Sequence, residues 1–194
     1  MTDRADRAHI LTITIDDIEP PIWRRIRVPS STTLARLHQH IQTAFGWWDY
    51  HLHLFEIGDD TYAIDDGEDW FRPVKDETTV TLAEVAPVDT SFTYTYDLGD
   101  NWNHTIAVDA IEDGARDEIP SCLDGARSRP PEDCGGSWGY GNLLEVLRNP
   151  KHDEYAELRE WAGLDFDPEY FDTRAVNAAF EAWTRATVQA ERRH

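Results

Sequence analysis

The stretch Phe92-Thr-Tyr-Thr-Tyr-Asp-Leu-Gly-Asp-Asn-Trp-Asn-His-Thr-Ile-Ala-Val108 predicts a β-hairpin, and the rest of the fold can be read outward from it. Large side chains alternate with polar ones in both halves, and a period of two is typical of strands with one buried face. Between the halves, Leu98-Gly-Asp-Asn101 predicts the turn, because Gly, Asp and Asn accept the dihedral angles of tight turns. The positions expected to share a face are Phe92, Tyr94, Tyr96, Trp102, His104, Ile106 and Val108.

Upstream of the hairpin the sequence predicts four further strands, one long helix and one short helix. The strands are Leu11–Ile15, Ile22–Val28, Tyr50–Ile57 and Thr61–Ile64. The long helix follows Ser30-Ser-Thr-Thr33, whose hydroxyls suit an N-cap, and it ends near Gly46. Thr81-Leu-Ala-Glu84 has the spacing of a capping box, which predicts a short helix through Val85. Together with the hairpin, these segments predict a sheet of about five to six strands.

Downstream of the hairpin the sequence predicts a loop and then helices. Residues 112–141 are rich in Gly, Pro and Asp, and a loop of that length is usually functional or disordered. The helices expected after it are Asn142–Arg148, the segment from Asp153 to Gly163, and the segment that begins at Asp172. This order indicates the α+β class, with a mixed or antiparallel sheet, a packed helix and a C-terminal helical segment.

The same order predicts one domain over residues 9–185, preceded by a disordered tail at residues 1–8. The strand-rich part spans 9–111, the loop spans 112–141, and the helical part spans 142–190. A chain of 194 residues is long enough to bury a core of its own.

Composition restricts the classes of function. The chain has 38 acidic and 18 basic side chains, a formal net charge of −20. Such a surface repels nucleic-acid phosphates and anionic lipids, so nucleic acid is an unexpected partner, with Trp23-Arg-Arg-Ile-Arg27 as a short basic patch. Without an apolar run of membrane-spanning length or a signal-peptide core, we expect a cytoplasmic protein. The two cysteines, Cys122 and Cys134, cannot make a zinc site alone.

Seven short motifs stand in order along the chain. They are Pro20-Pro-Ile-Trp-Arg-Arg25, Leu37-His38, Phe45-Gly-Trp-Trp48, His51-Leu-His53, Tyr96-Asp-Leu-Gly-Asp100 with Trp102 and His104, Pro130-Pro-Glu-Asp-Cys-Gly-Gly136 with Gly139-Tyr140, and Phe166-Asp-Pro-Glu-Tyr-Phe-Asp172. In this order they resemble the plasmid pRiA4b ORF-3-like family, named after the third open reading frame of an Agrobacterium root-inducing plasmid. The resemblance implies an α+β fold, an association with plasmids and mobile elements, and no characterised activity. The chain departs from similar sequences at Arg129, where they often have Cys, which weakens the case for a thiol cluster.

The hairpin turn and the Pro130–Gly136 segment supply the candidate site. Its residues are Asp97, Asp100, Trp102, His104, Glu132, Asp133 and Tyr140. Carboxylates and imidazole are the materials of acid–base catalysis and of metal binding. The same residue types also serve as hydrogen-bonding devices in turns, and the Pro130–Gly136 segment can equally brace the hairpin or form a ligand loop. We expect Asp97, Trp102 and the Glu132-Asp133 pair to lie in one neighbourhood.

A second candidate feature is the pair His51 and His53. Two residues apart on a predicted strand, they should point to the same face, which is a usable spacing for metal ligands. A hydrogen-bonded role in the sheet explains them equally, and the sequence predicts neither a bound metal nor a cofactor. No phosphate-binding glycine motif is present.

These features leave three functions open. The expected one is a non-enzymatic binding or accessory module, with a protein as the partner and an association with plasmids or mobile elements. One alternative is a metal-dependent hydrolase or nuclease-like enzyme that uses Asp97, Asp100 and His104 with Glu132 and Asp133. The other is a DNA-binding accessory protein, which the net charge of −20 disfavours.

Overall fold

The structure, a computed structural model, describes residues 7–64, 73–113 and 120–191. Within these ranges the chain has an α+β fold. Its elements are β1 (Arg7–Ile15), β2 (Ile22–Pro29), α1 (Leu34–Phe45), β3 (His53–Ile57), β4 (Asp60–Ala63), β5 (Lys75–Asp76), α2 (Leu82–Val85), β6 (Ser91–Tyr96), β7 (Trp102–Asp113), β8 (Ser121–Ala126), α3 (Gly136–Leu147), α4 (Tyr155–Ala162) and α5 (Thr173–Glu191).

The strands of the described residues form one sheet in the order β5-β4-β3-β6-β7-β1-β2-β8. The hairpin of β6 and β7 lies in its middle, with Tyr94 opposite His104 and Phe92 opposite Ile106. Neighbouring strands run antiparallel, except β5, which pairs in parallel with β4. The sheet therefore has eight strands, and the expectation of five to six was wrong.

The extra strands explain that error. β5 has only two residues, Lys75 and Asp76, which is too short for a visible period. β8 lies inside the region expected to be a loop, has little apolar alternation, and pairs through its backbone with the edge of β2. Its Gly125 packs so closely on Phe171 that an added Cβ would come 2.6 Å from the ring.

Other boundaries also differ from the sequence expectation. β1 begins at Arg7, so residues 7 and 8 belong to the sheet, while residues 1–6 of the expected tail lie outside the described residues. The expected loop, 112–141, is shortened at both ends, because β7 reaches Asp113 and α3 begins at Gly136; its residues 114–119 are not described. Glycine has a low helix propensity, so the Gly136-Ser-Trp-Gly-Tyr-Gly start of α3 does not resemble a helix.

The helix α1 is built as its sequence predicts. The Thr33 hydroxyl accepts a hydrogen bond from the Arg36 amide, and Gly46 ends the helix in the left-handed region with φ 81°. Leu34, Leu37 and Ile41 join a buried cluster with residues of the sheet, and α5 packs against both α1 and β8. The end of α1 is thereby placed between the sheet and the C-terminal helices.

Candidate functional site

The hairpin turn and the Pro130–Gly136 segment meet in the structure. The Asp100 carboxylate accepts a hydrogen bond from the Gly135 amide over 3.0 Å. Gly136 has φ 66°, and a Cβ added there would lie 2.6 Å from the backbone oxygen of Asp100. The contact therefore requires glycine for two reasons: the left-handed dihedral angle and the lack of space.

His51 lies between two carboxylates at this junction. Its Nε2 is 3.1 Å from Asp133 Oδ1 and 3.7 Å from Asp97 Oδ2. The Asp97 amide donates to the Leu52 carbonyl over 2.9 Å, which holds the His51 loop against the hairpin turn. We call this group, His51 with Asp97 and Asp133, the triad; its three ligand atoms all lie within 4.8 Å of one another.

Glu132 ties the loop after α1 to the same junction. One carboxylate oxygen accepts the Trp48 amide over 2.8 Å and the Tyr96 hydroxyl over 3.4 Å. The other oxygen is buried and has no hydrogen-bond partner among the described residues. Burial raises the pKa of Tyr96, so the phenol remains a neutral donor.

Three candidate residues lie in the core. Trp102, His104 and Tyr140 are each at most 1% exposed. His104 Nδ1 donates to the Trp102 carbonyl over 2.8 Å, and burial lowers the His104 pKa to about 4. Burial likewise raises the pKa of Tyr140 to about 12. The His104 imidazole and the Tyr140 phenol are therefore neutral and pack in the core. Both are buried and out of contact with ligands in solvent.

The structure separates the two histidines that the sequence paired. β3 begins at His53, so His51 belongs to the preceding loop and the expected common strand does not include it. His53 Nε2 contacts the buried carboxylate of Glu77 at 3.0 Å, and its ring stacks on His38 with a centroid distance of 3.5 Å. His38 continues the network to Asp49 and Tyr94. His53 therefore belongs to a buried polar network away from the triad.

A cavity of about 620 Å³ adjoins the junction. It lies between the end of α1, the 128–133 segment, and the helices α4 and α5. Trp48, Trp161 and Tyr170 line it and are 61%, 48% and 57% exposed, respectively. Glu132 and Asp133 also line it, so the cavity and the triad share a rim.

Two arginines, Arg24 and Arg129, line this cavity together with Glu132, Asp133 and Asp172. Arg24 is 3% exposed and donates to the carbonyl oxygens of Ala44, Trp23, Ala126 and Arg127. Its guanidinium also lies over the ring of Phe171 at 4.6 Å, and burial lowers its pKa to about 10, which leaves it charged at neutral pH. No carboxylate is bonded to it among the described residues.

Arg129 is the second cation. It donates to the Gly46 and Pro130 carbonyls and lies over the rings of Trp47 and Trp48 at 4.9 and 5.5 Å. In the sequence, Arg129 stood out only as a departure from similar sequences, and Arg24 only as part of a basic patch and of a motif shared with the family. Neither observation predicts that the two arginines line one cavity, because the residues that surround them come from segments distant in sequence.

The free cysteines do not add nucleophilic chemistry. Burial raises the pKa of Cys122 to about 11 and that of Cys134 to about 12, so both remain thiols at neutral pH.

The fold and this site define an α+β protein in which the cavity described above lies beside a junction of acidic loops. We call this cavity, with its aromatic side chains and two arginines, the groove. Comparison with known proteins gives its family: the chain belongs to the plasmid pRiA4b ORF-3-like proteins, whose family model matches residues 7–175. A relative from Sinorhizobium fredii, the uncharacterized protein y4hQ, is 37% identical over 175 residues, which cover 88% of this chain and 89% of the relative.

A solved structure shares the fold. The protein of unknown function MM3350 from Methanosarcina mazei is 38% identical, with a TM-score of 0.81 over 87% of this chain and 96% of that one. None of these names states an activity. No helix in the described part of the chain is long and apolar enough to span a membrane.

Proposed function

We propose that this protein is a non-enzymatic binding module and that the groove receives an apolar segment of a protein partner that carries one carboxylate. The observation that carries the proposal is the cavity of about 620 Å³, which combines exposed aromatic side chains with two arginines. Pockets of this size that are mostly apolar, with a few placed polar groups, are typical of ligand sites.

The aromatic lining favours a protein partner. Trp48, Trp161 and Tyr170 offer large contact areas with few rotatable bonds, and such residues contribute most of the binding energy in many protein interfaces. Exposure of these aromatic rings to water is unfavourable in free energy, and a bound partner would cover the rings.

The charges favour a single carboxylate over an acidic run. Arg24 and Arg129 supply two positive charges on the side of the cavity with the aromatic rings, and they could form charge-assisted hydrogen bonds with one carboxylate, whereas the lining carboxylates Glu132, Asp133 and Asp172 would repel a run of acids. The net charge of −20 repels a strongly acidic partner at longer range. A chain terminus that ends in an apolar residue satisfies both conditions.

N-acetylated hexapeptides that end in Leu or Phe, each as the free acid and as the amide, test this proposal by tryptophan fluorescence and calorimetry. The free acids should bind at least about tenfold more tightly than the amides, because only the acids present a carboxylate to the arginines. Short carboxylic acids such as phenylpropionate serve as a further set of ligands in the same measurements. If they bind as tightly as the free-acid peptides, the groove is a small-molecule site.

Matched variants locate the site. Trp48→Ala should weaken peptide binding about thirtyfold, whereas Trp138→Ala, which removes an even more exposed tryptophan outside the cavity, should not. Arg129→Gln should remove the preference for the free acid, with Arg185→Gln as the surface control. Peptide affinities that are the same in all four variants would exclude the groove as the site.

Metal-dependent hydrolysis is the second candidate, and the triad is the observation that favours it. Of the residues expected for such an enzyme, the triad includes Asp97 and Asp133 together with His51, whereas Asp100 bonds to Gly135 and His104 lies in the core. Turnover of bis(p-nitrophenyl) phosphate with Mn²⁺ or Zn²⁺, lost in Asp133→Asn, would support an enzyme over a binding module.

The proposal also covers the cellular location of the protein, its association with mobile elements and its relation to DNA. A cytoplasmic location and an association with plasmids or mobile elements fit the free thiols and the family to which the chain belongs. Direct DNA binding is disfavoured by the net charge of −20, and a gel-shift experiment at low salt tests it.

A further inference from the structure

We propose that the triad of His51, Asp97 and Asp133 binds a divalent transition-metal ion, with Zn²⁺ as the preferred ion. The proposal is independent of the groove and its partner, because it rests only on the three side chains at the junction. It would make the junction a metal-stabilised tie between the loop after α1, the hairpin turn and the Pro130–Gly136 segment.

The two distances from His51 to the carboxylates are close to those between ligands of one ion, and all three ligand atoms lie within 4.8 Å of one another. Zinc binds imidazole nitrogen and carboxylate oxygen at about 2.0 to 2.2 Å, so two ligand atoms in a tetrahedral site are about 3.4 Å apart. His51 Nε2 lies 3.1 Å from Asp133 Oδ1 and 3.7 Å from Asp97 Oδ2, on either side of that value. No other cluster of this kind is found in the described ranges.

The ligand atoms have unused bonding capacity. His51 Nε2 is a buried atom with no hydrogen-bond partner among the described residues, although two carboxylates face it. The Asp97 side chain is only 9% exposed, and within the same residues no hydrogen bond reaches its Oδ2. A metal ion would bind the buried His51 Nε2 and the Asp97 Oδ2 at once, which is a reason to prefer it to a simple charge pair.

The turn holds the Asp97 carboxylate in position. Its other oxygen, Oδ1, accepts hydrogen bonds from the amides of Gly99 and Asp100 over 2.9 and 3.2 Å. Hydrogen bonds of this kind orient carboxylate ligands and tune their affinity for metals. Asp133 is more open, with a side chain 70% exposed, and provides the route for the ion from solvent.

The donor set selects the class of ion. One imidazole with two carboxylates suits Zn²⁺ and, more weakly, Mn²⁺, whereas Mg²⁺ prefers oxygen ligands and retains its water. Three protein ligands leave a fourth zinc position for water or for a ligand group. The net charge of −20 raises the local concentration of cations around the whole molecule.

Calorimetric and thermal titrations of the full chain with ZnCl₂, MnCl₂ and MgCl₂, after dialysis against a chelator, test the proposal. Zinc should bind with a stoichiometry near one and raise Tm by about 5 °C or more once the free ion exceeds Kd a hundredfold. Magnesium should produce no shift. Asp133→Asn and His51→Gln should each weaken zinc binding at least about tenfold.

Asp133→Asn is compatible with the native backbone, and both variants have matched controls. Asn accepts the left-handed backbone of Asp133, which has φ 56°, so Asp133→Asn removes charge without backbone strain. The controls are His152→Gln and Asp59→Asn, which change an exposed imidazole and an exposed carboxylate outside the triad. Zinc affinity that is absent in the wild type, or that falls in the controls and not in the triad variants, overturns the proposal. In the first case the triad is an ion pair only.

Discussion

Acidification should destabilise this protein, because two histidines, His40 and His104, are buried where a charged imidazole is unfavourable. Burial lowers the pKa of His40 from the ordinary 6.5 to about 3 and that of His104 to about 4. With a lowered folded-state pKa, the unfolded chain takes up the proton first. The stabilisation is therefore complete above about pH 6.5 and is lost as the pH falls toward the folded-state values.

The size of the effect follows from these pKa values. At about pH 5 an unfolded imidazole is mostly protonated, whereas both buried rings remain neutral. The pH then lies about 1.5 units below the unfolded pKa, which costs about 2 kcal/mol of unfolding free energy per histidine, or about 4 kcal/mol for the pair. A domain has in total only about 5 to 15 kcal/mol, so the loss should be easy to measure.

Urea unfolding at about pH 7.5 and at about pH 5, followed by tryptophan fluorescence, measures this loss. His40→Leu isolates one half of it, because leucine retains an apolar contact with Phe180 and Trp183 and binds no proton. The variant should lose about 2 kcal/mol less than the wild type between the two pH values. Protonation of surface carboxylates acts on both proteins alike and cancels in the comparison.

The control is His152→Gln, which replaces an exposed imidazole outside the buried pair. If the wild type and His40→Leu lose the same unfolding free energy on acidification, the buried imidazole of His40 is not the cause, and the reasoning fails.

Two further pairs of variants test the packing behind the site. Gly139→Ala places a Cβ 1.8 Å from the Cys134 carbonyl oxygen and should lower the free energy of unfolding by more than about 4 kcal/mol. Gly141→Ala in the same helix meets no atom within 4 Å, so it should leave the free energy of unfolding unchanged or raise it by up to about 1 kcal/mol. Chemical unfolding compares the two, and equal stabilities would contradict the close approach. Arg24→Met should cost about 3 kcal/mol or more, because four carbonyl groups, all buried or partly buried, lose a charged donor. Arg25→Met at the surface should cost under about 1 kcal/mol. A similar Tm for both arginine variants would show that the carbonyl contacts of Arg24 contribute little.

Local sequence patterns predict the central part of this fold. The alternation from Phe92 to Val108 produces the β6–β7 hairpin, and the N-cap Thr33 with Gly46 bounds α1. In each case the decisive interactions join residues close in sequence: period-two burial for a hairpin, and caps for a helix.

The same patterns do not reveal β8 or the start of α3. β8 has few apolar residues and forms because β2 offers it an unpaired edge. The first turn of α3 has two glycines, Gly136 and Gly139, and each gives up helix propensity for space or for an unusual dihedral angle near the junction. Tertiary contacts overrode the local preference in both segments.

The sequence by itself determined the α+β class, the family, the net charge of −20 and the two segments where a site should be sought. Only the tertiary structure decided which atoms meet there. It places His51 with Asp97 and Asp133, assigns His53 to a separate buried network, and surrounds Arg24 with carbonyl groups from distant segments. The physical reason is that a triad assembled from three loops depends on the path of the backbone between them, and that path is set by the packing of the whole sheet.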